Sequence, residues 1–290
     1  MGRDAWGRWG ESDERGALNH ITAATVTRAA RLVRDGKVIA LAQLLSPQTP
    51  VPGHRSPLQH FMGRDGGDYA AGGKRPGGFQ FADDTVLLPL HVGTHVDALC
   101  HAWYDDKLYN GFPSTGVRSG RGAARCGIEK MGPIVGRGIL LDLVALAGRP
   151  LGLGEVVTAD ALEAAAARAD VRVEPGDVVL VRTGWIERKL GSSGYYDGEP
   201  GIDVGAARWL ADRGVAGVGS DNFAVEVIPF PPEQVFPVHQ CLIRDFGVAL
   251  IEGLTLASLG GAEATTFLFV AAPLPIAGAT GSPLVPLAVL

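Results

Sequence analysis

HVGTHVDALCH, residues 91–101, places three of the chain's seven histidines and an aspartate within one short segment. His91, His95, Asp97 and His101 share parity, so an extended backbone would project all four side chains from one face. Imidazole and carboxylate groups are common ligands of divalent transition metals. The segment therefore predicts an extended metal-binding stretch.

A helix is the competing interpretation of the same residues. His91 and His95 stand at i and i+4, as in the HExxH motif of zinc proteases. That motif requires Glu where this chain has Val92, and Asp97 would lie off the face that the two histidines share. The β-branched residues and the glycine between the histidines are also poor helix formers. An extended segment is therefore favoured.

Two residues of the second half are further candidate ligands. His239 is the only histidine there, and Glu252 ends the apolar run Val248–Ile251. A carboxylate at the end of a buried strand is costly unless it is paired or bound to a metal. Spacing alone leaves open whether either residue is a ligand.

Composition limits the classes of function. Hydrophobic residues make up 46% and charged residues 20% of the 290 residues, which is typical of a folded globular chain. The net charge of −5 argues against a nucleic-acid partner. No apolar run is long enough for a membrane span, so no membrane association is expected. Three scattered cysteines, with no CxxC pair, predict a reducing, cytoplasmic location.

Strand and helix patterns alternate through the second half of the chain. Predicted strands cover 38–44, 85–90, 138–142, 177–182, 215–218 and 246–251, and predicted helices cover 22–35, 158–169 and 203–213. Four prolines interrupt the apolar tail 267–290, which predicts edge or irregular strands. The alternation predicts an α/β fold, a single domain over residues 1–290 with a mixed sheet and flanking helices.

The stretch 46–80 is long, irregular and rich in Pro, Gly and charge. Long loops inside compact domains are usually functional or disordered. The sequence leaves two interpretations open, an active-site flap and a mobile insertion.

In the histidine segment, residues 91–101, the chain resembles the metal-dependent hydrolases of the cyclase, or kynurenine-formamidase-like, family, in its longer-chain branch. The family signature HxGTHxDxxxH agrees with residues 91–101 at every fixed position. The opening around Trp9-Gly10, the segment 239–252 and the ending PLPIAGATGSPLVPLAV are also similar. The resemblance implies a swivelling β/β/α-like fold that assembles as a homodimer or homotetramer.

The resemblance also implies roles for individual residues. It makes His91, His95 and Asp97 metal ligands and His101 the general acid/base. His239 and Glu252 belong to a second block that binds one or two ions or positions the catalytic water. Leu99 stands where the formamidases proper usually carry Pro. This departure weakens the inference that the substrate is that of the formamidases, but it does not weaken the inference about the reaction chemistry.

The expected cofactor is Zn²⁺ or Mn²⁺, as one or two ions. Such an ion acidifies its bound water and polarises a carbonyl. We expect a hydrolase that cleaves a C–N bond of a small amide, formamide or cyclic amide. The alternatives are a lactone or ester hydrolase, a polyketide-type cyclase or lyase, and a catalytically silent metal or small-molecule binding protein.

Aromatic residues near the irregular and motif segments are candidates for a substrate pocket, although each could equally pack in the core. They are Phe61, Phe79, Phe81, Trp103, Tyr109 and Phe223. Cys100 has the opposite parity to His101, so it is expected to face away from the metal.

Overall fold

A nine-stranded mixed sheet organises the chain in the computed structural model, which describes residues 4–262 and 264–290. Four central strands run parallel, and antiparallel strands extend the sheet on both sides. This architecture confirms the predicted α/β fold with a mixed sheet. The strand order is β1-β15-β13-β7-β9-β11-β12-β4-β14, with the bounds given below.

Fifteen strands are present in the described residues. They are β1 (Val38–Ala40), β2 (Gln59–Arg64), β3 (Asp83–Leu87), β4 (His95–Asp97), β5 (Val117–Arg118), β6 (Gly122–Ala123), β7 (Ile134–Asp142), β8 (Val156–Val157), β9 (Val178–Arg182), β10 (Gly201–Ile202), β11 (Gly217–Ser220), β12 (Ala249–Glu252), β13 (Thr266–Ala271), β14 (Gly281–Pro283) and β15 (Leu287–Val289).

Short helices accompany the sheet. They are α1 (Ala23–Ala30), α2 (Gly66–Ala70), α3 (Leu143–Ala147), α4 (Ala159–Arg168), α5 (Trp185–Lys189), α6 (Val204–Asp212), α7 (Pro237–His239) and α8 (Ala257–Gly260). A π-helical turn, Gln240–Asp245, continues directly from α7. None of the helices in the described ranges has the length and apolar character needed to cross a bilayer.

Side-chain caps fix where the predicted helices begin. Thr22, Thr158 and Asp203 each accept a hydrogen bond from a backbone N–H in the first turn of α1, α4 and α6. Helix α1 is shorter than the predicted 22–35. Its last turn closes at Arg31, and the chain then turns at Gly36, where φ is 67°.

The histidine segment is extended only over β4, so the predicted extended stretch is shorter than 91–101. Gly93 adopts a left-handed φ of 57° before the strand, and His101 N–H closes a turn on the Ala98 carbonyl after it. The parity argument therefore holds for His95 and Asp97. His91 and His101 reach the same region through turns.

The stretch 46–80 divides into two parts. Its second part carries β2 and α2, and β2 pairs with β3 in a hairpin separate from the main sheet. Nearly every residue of both hairpin strands is exposed. In the tail, β14 pairs with β4, and β15 joins β13 to β1. These short strands confirm the irregular edge structure expected for 267–290.

Candidate metal centre

Strand register brings two distant parts of the sequence together. Strand β12 lies antiparallel to β4, and Glu252 is the direct partner of His95. The two side chains meet, with 3.0 Å between His95 Nε2 and Glu252 Oε2. Asp97, two residues along β4, is fully buried on the same face. The sheet therefore assembles three of the predicted ligands.

His91 packs against Asp97 from the turn before β4. Its Nδ1 lies 2.7 Å from Asp97 Oδ1, and its Nε2 lies 3.0 Å from Thr280 Oγ1. The ring sits over Gly281, where a Cβ would approach His91 Cε1 to 2.6 Å. Only glycine leaves room for the imidazole in this position.

His101 lies beside His91 in the cluster. Its ring stacks on that of His91, with 4.0 Å between centroids and 27° between planes. Its Nε2 lies 3.9 Å from Asp97 Oδ2. The side chain of His101 is 27% exposed, against 10% or less for the other five residues of the cluster. His101 is thus the member most accessible to solvent.

His239 enters from α7, at the start of the π-helical turn. Its Nε2 lies 3.1 Å from Glu252 Oε1 and 3.6 Å from Asp97 Oδ2. Its Nδ1 lies 2.5 Å from Oε1 of Glu226. All six residues predicted from the sequence as catalytic or ligating are therefore gathered around Asp97. We refer to His91, His95, Asp97, His101, His239 and Glu252 as the buried cluster.

Three polar atoms of this cluster test whether its residues fit a metal ion. His95 Nε2, Asp97 Oδ2 and Glu252 Oε1 are buried, and none makes a well-aligned hydrogen bond within the described residues, although His95 Nε2 lies 3.0 Å from Glu252 Oε2 and His239 Nε2 lies 3.1 Å from Glu252 Oε1. Buried polar atoms are normally satisfied. His95 Nδ1 donates to the Gly93 carbonyl, which leaves Nε2 as the free lone pair. These atoms, one imidazole nitrogen and two carboxylate oxygens, fit a divalent cation.

The ligand atoms fall into two sets that share Asp97. Within each set the atoms lie within 4.8 Å of one another. One set comprises His91, Asp97 and His101, and the other comprises His95, Asp97 and Glu252. Each set therefore offers three potential ligand atoms, one of them from the shared Asp97.

Burial dominates the pKa of His101, whereas neighbouring histidines dominate the pKa values of the two carboxyl groups. Burial lowers the pKa of His101 to about 4, and Asp97 only partly offsets that effect. Burial alone would raise the pKa values of Asp97 and Glu252. Nearby histidines outweigh burial, so both pKa values fall below their ordinary range. Both carboxyl groups are therefore ionised at neutral pH.

His95 and His239 respond in the opposite direction from His101. Burial alone would lower their pKa values, but Glu252 beside His95 raises the pKa of that imidazole. Glu226 and Glu252 together raise the pKa of His239 well above its ordinary value.

A cavity of about 10 Å³ borders His91 and His95. Such a volume holds about one water molecule. Three aromatic side chains, Tyr195, Tyr196 and Phe223, form one wall of the cavity. Their rings meet edge to face, with centroids 4.8 Å apart for each neighbouring pair.

The first part of the stretch 46–80 lies against this cavity. Pro50 lines it, and the Pro50 carbonyl accepts a hydrogen bond of 2.8 Å from the Tyr196 hydroxyl. Arg55 Nη1 donates to the His91 carbonyl at 2.7 Å. Residues 50–55 are therefore tied directly to the candidate site, as the flap interpretation expects of their position.

The predicted pocket aromatics have different positions. Phe223 lines the cavity. Phe61 is exposed on β2, Phe81 stacks on Phe79 next to the hairpin, and Trp103 is partly exposed; none of them borders the cavity.

Tyr109 requires a correction, because it lies fully buried in the hydrophobic core. Its hydroxyl donates to Asp13 Oδ2 at 3.0 Å, so its polar atom is satisfied away from the cavity. Cys100 is also buried in the core, as its parity predicts.

Sequence reasoning missed Glu226, Tyr195 and Tyr196. The two tyrosines lie in the stretch GSSGYYDGEP, residues 191–200, whose composition predicts only a loop. The pair of tyrosines inside a Gly/Ser-rich loop was the sequence feature that could have indicated a binding-site wall. Glu226 precedes a proline-rich stretch and has no motif to mark it.

Comparison with known proteins agrees with this geometry. The Cyclase family model, described as "Putative cyclase", matches residues 39–227. Isatin hydrolase from Roseibium aggregatum is 29% identical over 220 residues, which cover 72% of this chain and 75% of that protein.

Solved structures show similar folds. A crystal structure of a novel cyclase is 38% identical with a TM-score of 0.92, and the match covers 99% of this chain and 97% of that one. Isatin hydrolase A from Ralstonia solanacearum is 25% identical with a TM-score of 0.66, and the match covers 92% and 94% of the two chains. These matches confirm the resemblance drawn from residues 91–101, and the chain belongs to the cyclase family.

Proposed function

We propose that this protein is a metal-dependent hydrolase that cleaves the C–N bond of a small aromatic amide or cyclic amide. The observation that carries the proposal is the set of three buried, unpartnered atoms on His95, Asp97 and Glu252. Leaving these atoms bare in a folded protein would be destabilising. A bound cation would satisfy all three.

The chain's own residues define where a cation would bind. His95, Asp97 and Glu252 would hold one ion, with His239 Nε2 beside the same two carboxylates. The second set of ligand atoms comprises His91, Asp97 and His101. When bound, a divalent ion acidifies water and polarises a carbonyl group. Sequence and geometry are compatible with Zn²⁺ or Mn²⁺, since both accept mixed nitrogen and oxygen ligands.

His101 is the residue we assign to proton transfer. It is the most exposed member of the buried cluster, and its Nε2 faces Asp97 Oδ2 at 3.9 Å. In hydrolysis the water oxygen bonds to the carbonyl carbon and gives up a proton, which the imidazole accepts. The C–N bond then breaks, and the imidazole returns the proton to the leaving nitrogen. The products are a carboxylic acid and an amine.

The aromatic wall supports a ring-bearing substrate. Tyr195, Tyr196 and Phe223 line the cavity beside His91 and His95, and a ring would enter only after this wall moves apart, because the cavity measures about 10 Å³. Aromatic side chains bind flat apolar groups well. Isatin, an aromatic cyclic amide, is the compound named for the Roseibium relative. Isatin is therefore the first substrate to test.

The test pairs metal analysis with a substrate panel. Purified protein is assayed for bound metal and for hydrolysis of isatin, formanilide and dihydrocoumarin, which represent cyclic amide, open amide and lactone. We expect near-stoichiometric metal and fastest turnover of an amide. Unchanged turnover in His95→Ala would overturn the proposal, and turnover of the lactone alone would reassign the enzyme to ester hydrolysis. His60→Ala, which changes an exposed histidine, is the matched control.

A further inference from the structure

The carboxylate of Glu226 is buried and accepts hydrogen bonds from the segment that carries His239. Only 1% of Glu226 is exposed. Its Oε1 accepts hydrogen bonds from His239 N–H at 3.1 Å and from His239 Nδ1 at 2.5 Å. Its Oε2 accepts from Val238 N–H at 3.1 Å. Both oxygens of one carboxylate are thus used at the start of α7.

Glu226 is itself held in place by its backbone. The residue forms a parallel bridge with Ile202, and Val227 N–H donates to the Ile202 carbonyl at 3.2 Å. The loop passes so close to Gly201 that a side chain there would collide with the Glu226 backbone. The backbone around Glu226 is therefore packed closely against β10.

This contact determines which nitrogen of His239 is free. Because Nδ1–H donates to Glu226, Nε2 is the nitrogen directed at Glu252 Oε1 and Asp97 Oδ2. The ring of Phe236 packs against the imidazole at 5.0 Å between centroids and limits its rotation. A histidine that ligates a metal through one nitrogen normally donates from the other to such a partner.

We infer that Glu226 is a positioning residue, which holds His239 with Nε2 facing the buried cluster and thereby sets the affinity of that cluster for a divalent cation. The inference rests on the proposed metal site, but not on hydrolysis. It assigns a role to a residue that never touches the cation or the substrate.

Replacement by glutamine tests this role with little change of shape. An amide has one acceptor oxygen, whereas Glu226 accepts from both of its oxygens. In Glu226→Gln the NH₂ group must face either Val238 N–H or His239. The first arrangement leaves a buried N–H unsatisfied, and the second reverses the protonation of the imidazole. We expect Zn²⁺ affinity to fall about 10- to 100-fold.

A double-mutant cycle separates positioning from general loss of structure. Zn²⁺ affinity is measured by competition with a chromophoric chelator for the wild type, Glu226→Gln, His239→Ala and the double variant. If Glu226 acts through His239, the glutamine substitution should have less than about a twofold effect in the His239→Ala background. A full loss of affinity in that background would overturn the inference.

Glu199→Gln is the matched control. Glu199 is equally buried and accepts from Phe223 N–H and Ala224 N–H in the same loop, but among the described residues it makes no hydrogen bond or ion pair to the buried cluster. Its Zn²⁺ affinity should stay within about twofold of wild type. An equal loss in Glu199→Gln and Glu226→Gln would make the effect one of loop integrity and would refute the inference.

A measurement on the wild type covers the case in which Glu226→Gln does not fold. Long-range ¹H–¹⁵N spectra of the Zn²⁺-loaded protein, labelled at histidine nitrogens, report which nitrogen carries the proton. The His239 signals are identified by their loss in His239→Ala. We expect a proton on Nδ1, and a proton on Nε2 instead would overturn the inference. Zn²⁺ binding with these properties but no hydrolysis would leave this inference standing and reject the hydrolase proposal.

Discussion

The hairpin of β2 and β3 and the buried cluster both place a histidine beside a carboxylate at almost the same distance. His60 Nε2 lies 2.6 Å from Asp84 Oδ2, and His239 Nδ1 lies 2.5 Å from Glu226 Oε1. The hairpin side chains are 43% and 53% exposed, whereas those of the buried pair are 5% and 1% exposed. A short contact alone therefore does not define a functional site.

The surroundings of each pair explain the difference. On the hairpin, water solvates both groups, and an exposed ion pair contributes about 0–1 kcal/mol. In the cluster, charged groups removed from water must find compensating partners. Glu226 supplies a partner for His239 Nδ1, but Asp97 Oδ2 and Glu252 Oε1 still have no well-aligned hydrogen-bond donor in the described chain. That remaining deficit points to a cation.

The largest predicted effect is the loss of metal when a ligand at the centre of the buried cluster is removed. Removing His95 or Asp97 as His95→Ala or Asp97→Ala takes away one of the atoms that would hold the cation. Metal content, measured by mass spectrometry on the purified variants, should fall from near one equivalent or more to background, and turnover should be lost with it. Full occupancy at unchanged affinity in His95→Ala would show that His95 is not a ligand.

The second effect separates binding from catalysis. His101→Asn removes the imidazole that we assign to proton transfer but leaves His95, Asp97 and Glu252 in place. The kcat should fall about 10²- to 10⁴-fold, the usual loss for a general acid or base. Metal content is measured on the same preparation and should stay close to wild type. Loss of metal in step with kcat would make His101 a ligand instead.

The third effect concerns stability. A cation that binds only the folded state at about 100 times its Kd stabilises that state by about 2.7 kcal/mol. For a chain of this size, chelation should therefore lower the Tm by about 4–5 °C. Thermal unfolding with and without chelator measures the shift, and His95→Ala should show almost none. Equal shifts in both proteins would locate the stabilising ion elsewhere.

Local patterns in the sequence predicted much of this site because its ligands follow local rules. The spacing of His95 and Asp97 is that of one strand face, and Glu252 ends a buried apolar run. The pairing of β12 with β4 then joins them, as the family resemblance implied. The parity argument correctly predicted that His91 and His101 lie near His95 and Asp97. It was wrong about the backbone, because turns and not a strand bring these two residues to the site.

Other features depend on contacts between segments that no local pattern encodes. Glu226 acquires its role only when β10 and α7 close around its loop. Tyr196 joins the cavity through a hydrogen bond to Pro50, far away in the chain. Tyr109 is adjacent to the motif region, yet its hydroxyl pairs with Asp13 in the core. Proximity in sequence was a poor guide to the aromatic wall.

The fourth effect is smaller and concerns the cavity wall. Tyr196→Phe removes the hydrogen bond to the Pro50 carbonyl, which should cost about 1 kcal/mol. If that bond positions residues 50–55 over the substrate, KM should rise about fivefold with little change in kcat. Tyr69→Phe is the matched control, because the Tyr69 hydroxyl bonds Phe81 beside the hairpin. A similar rise in KM for both variants would contradict a specific role for Tyr196.

The smallest effect tests the hairpin side of the comparison. His60→Ala removes the hairpin histidine that faces Asp84, yet both groups are well solvated, so the free energy of unfolding should change by less than about 0.5 kcal/mol. Metal affinity and kcat should equal those of wild type. The reason is that burial, and not the short histidine–carboxylate contact, distinguishes the functional pair from the hairpin pair. Chemical unfolding and the Zn²⁺ competition assay provide both measurements. A loss of affinity comparable to that of Glu226→Gln would mean that the hairpin takes part in the site, and burial would no longer explain why one histidine–carboxylate pair is functional and the other is not.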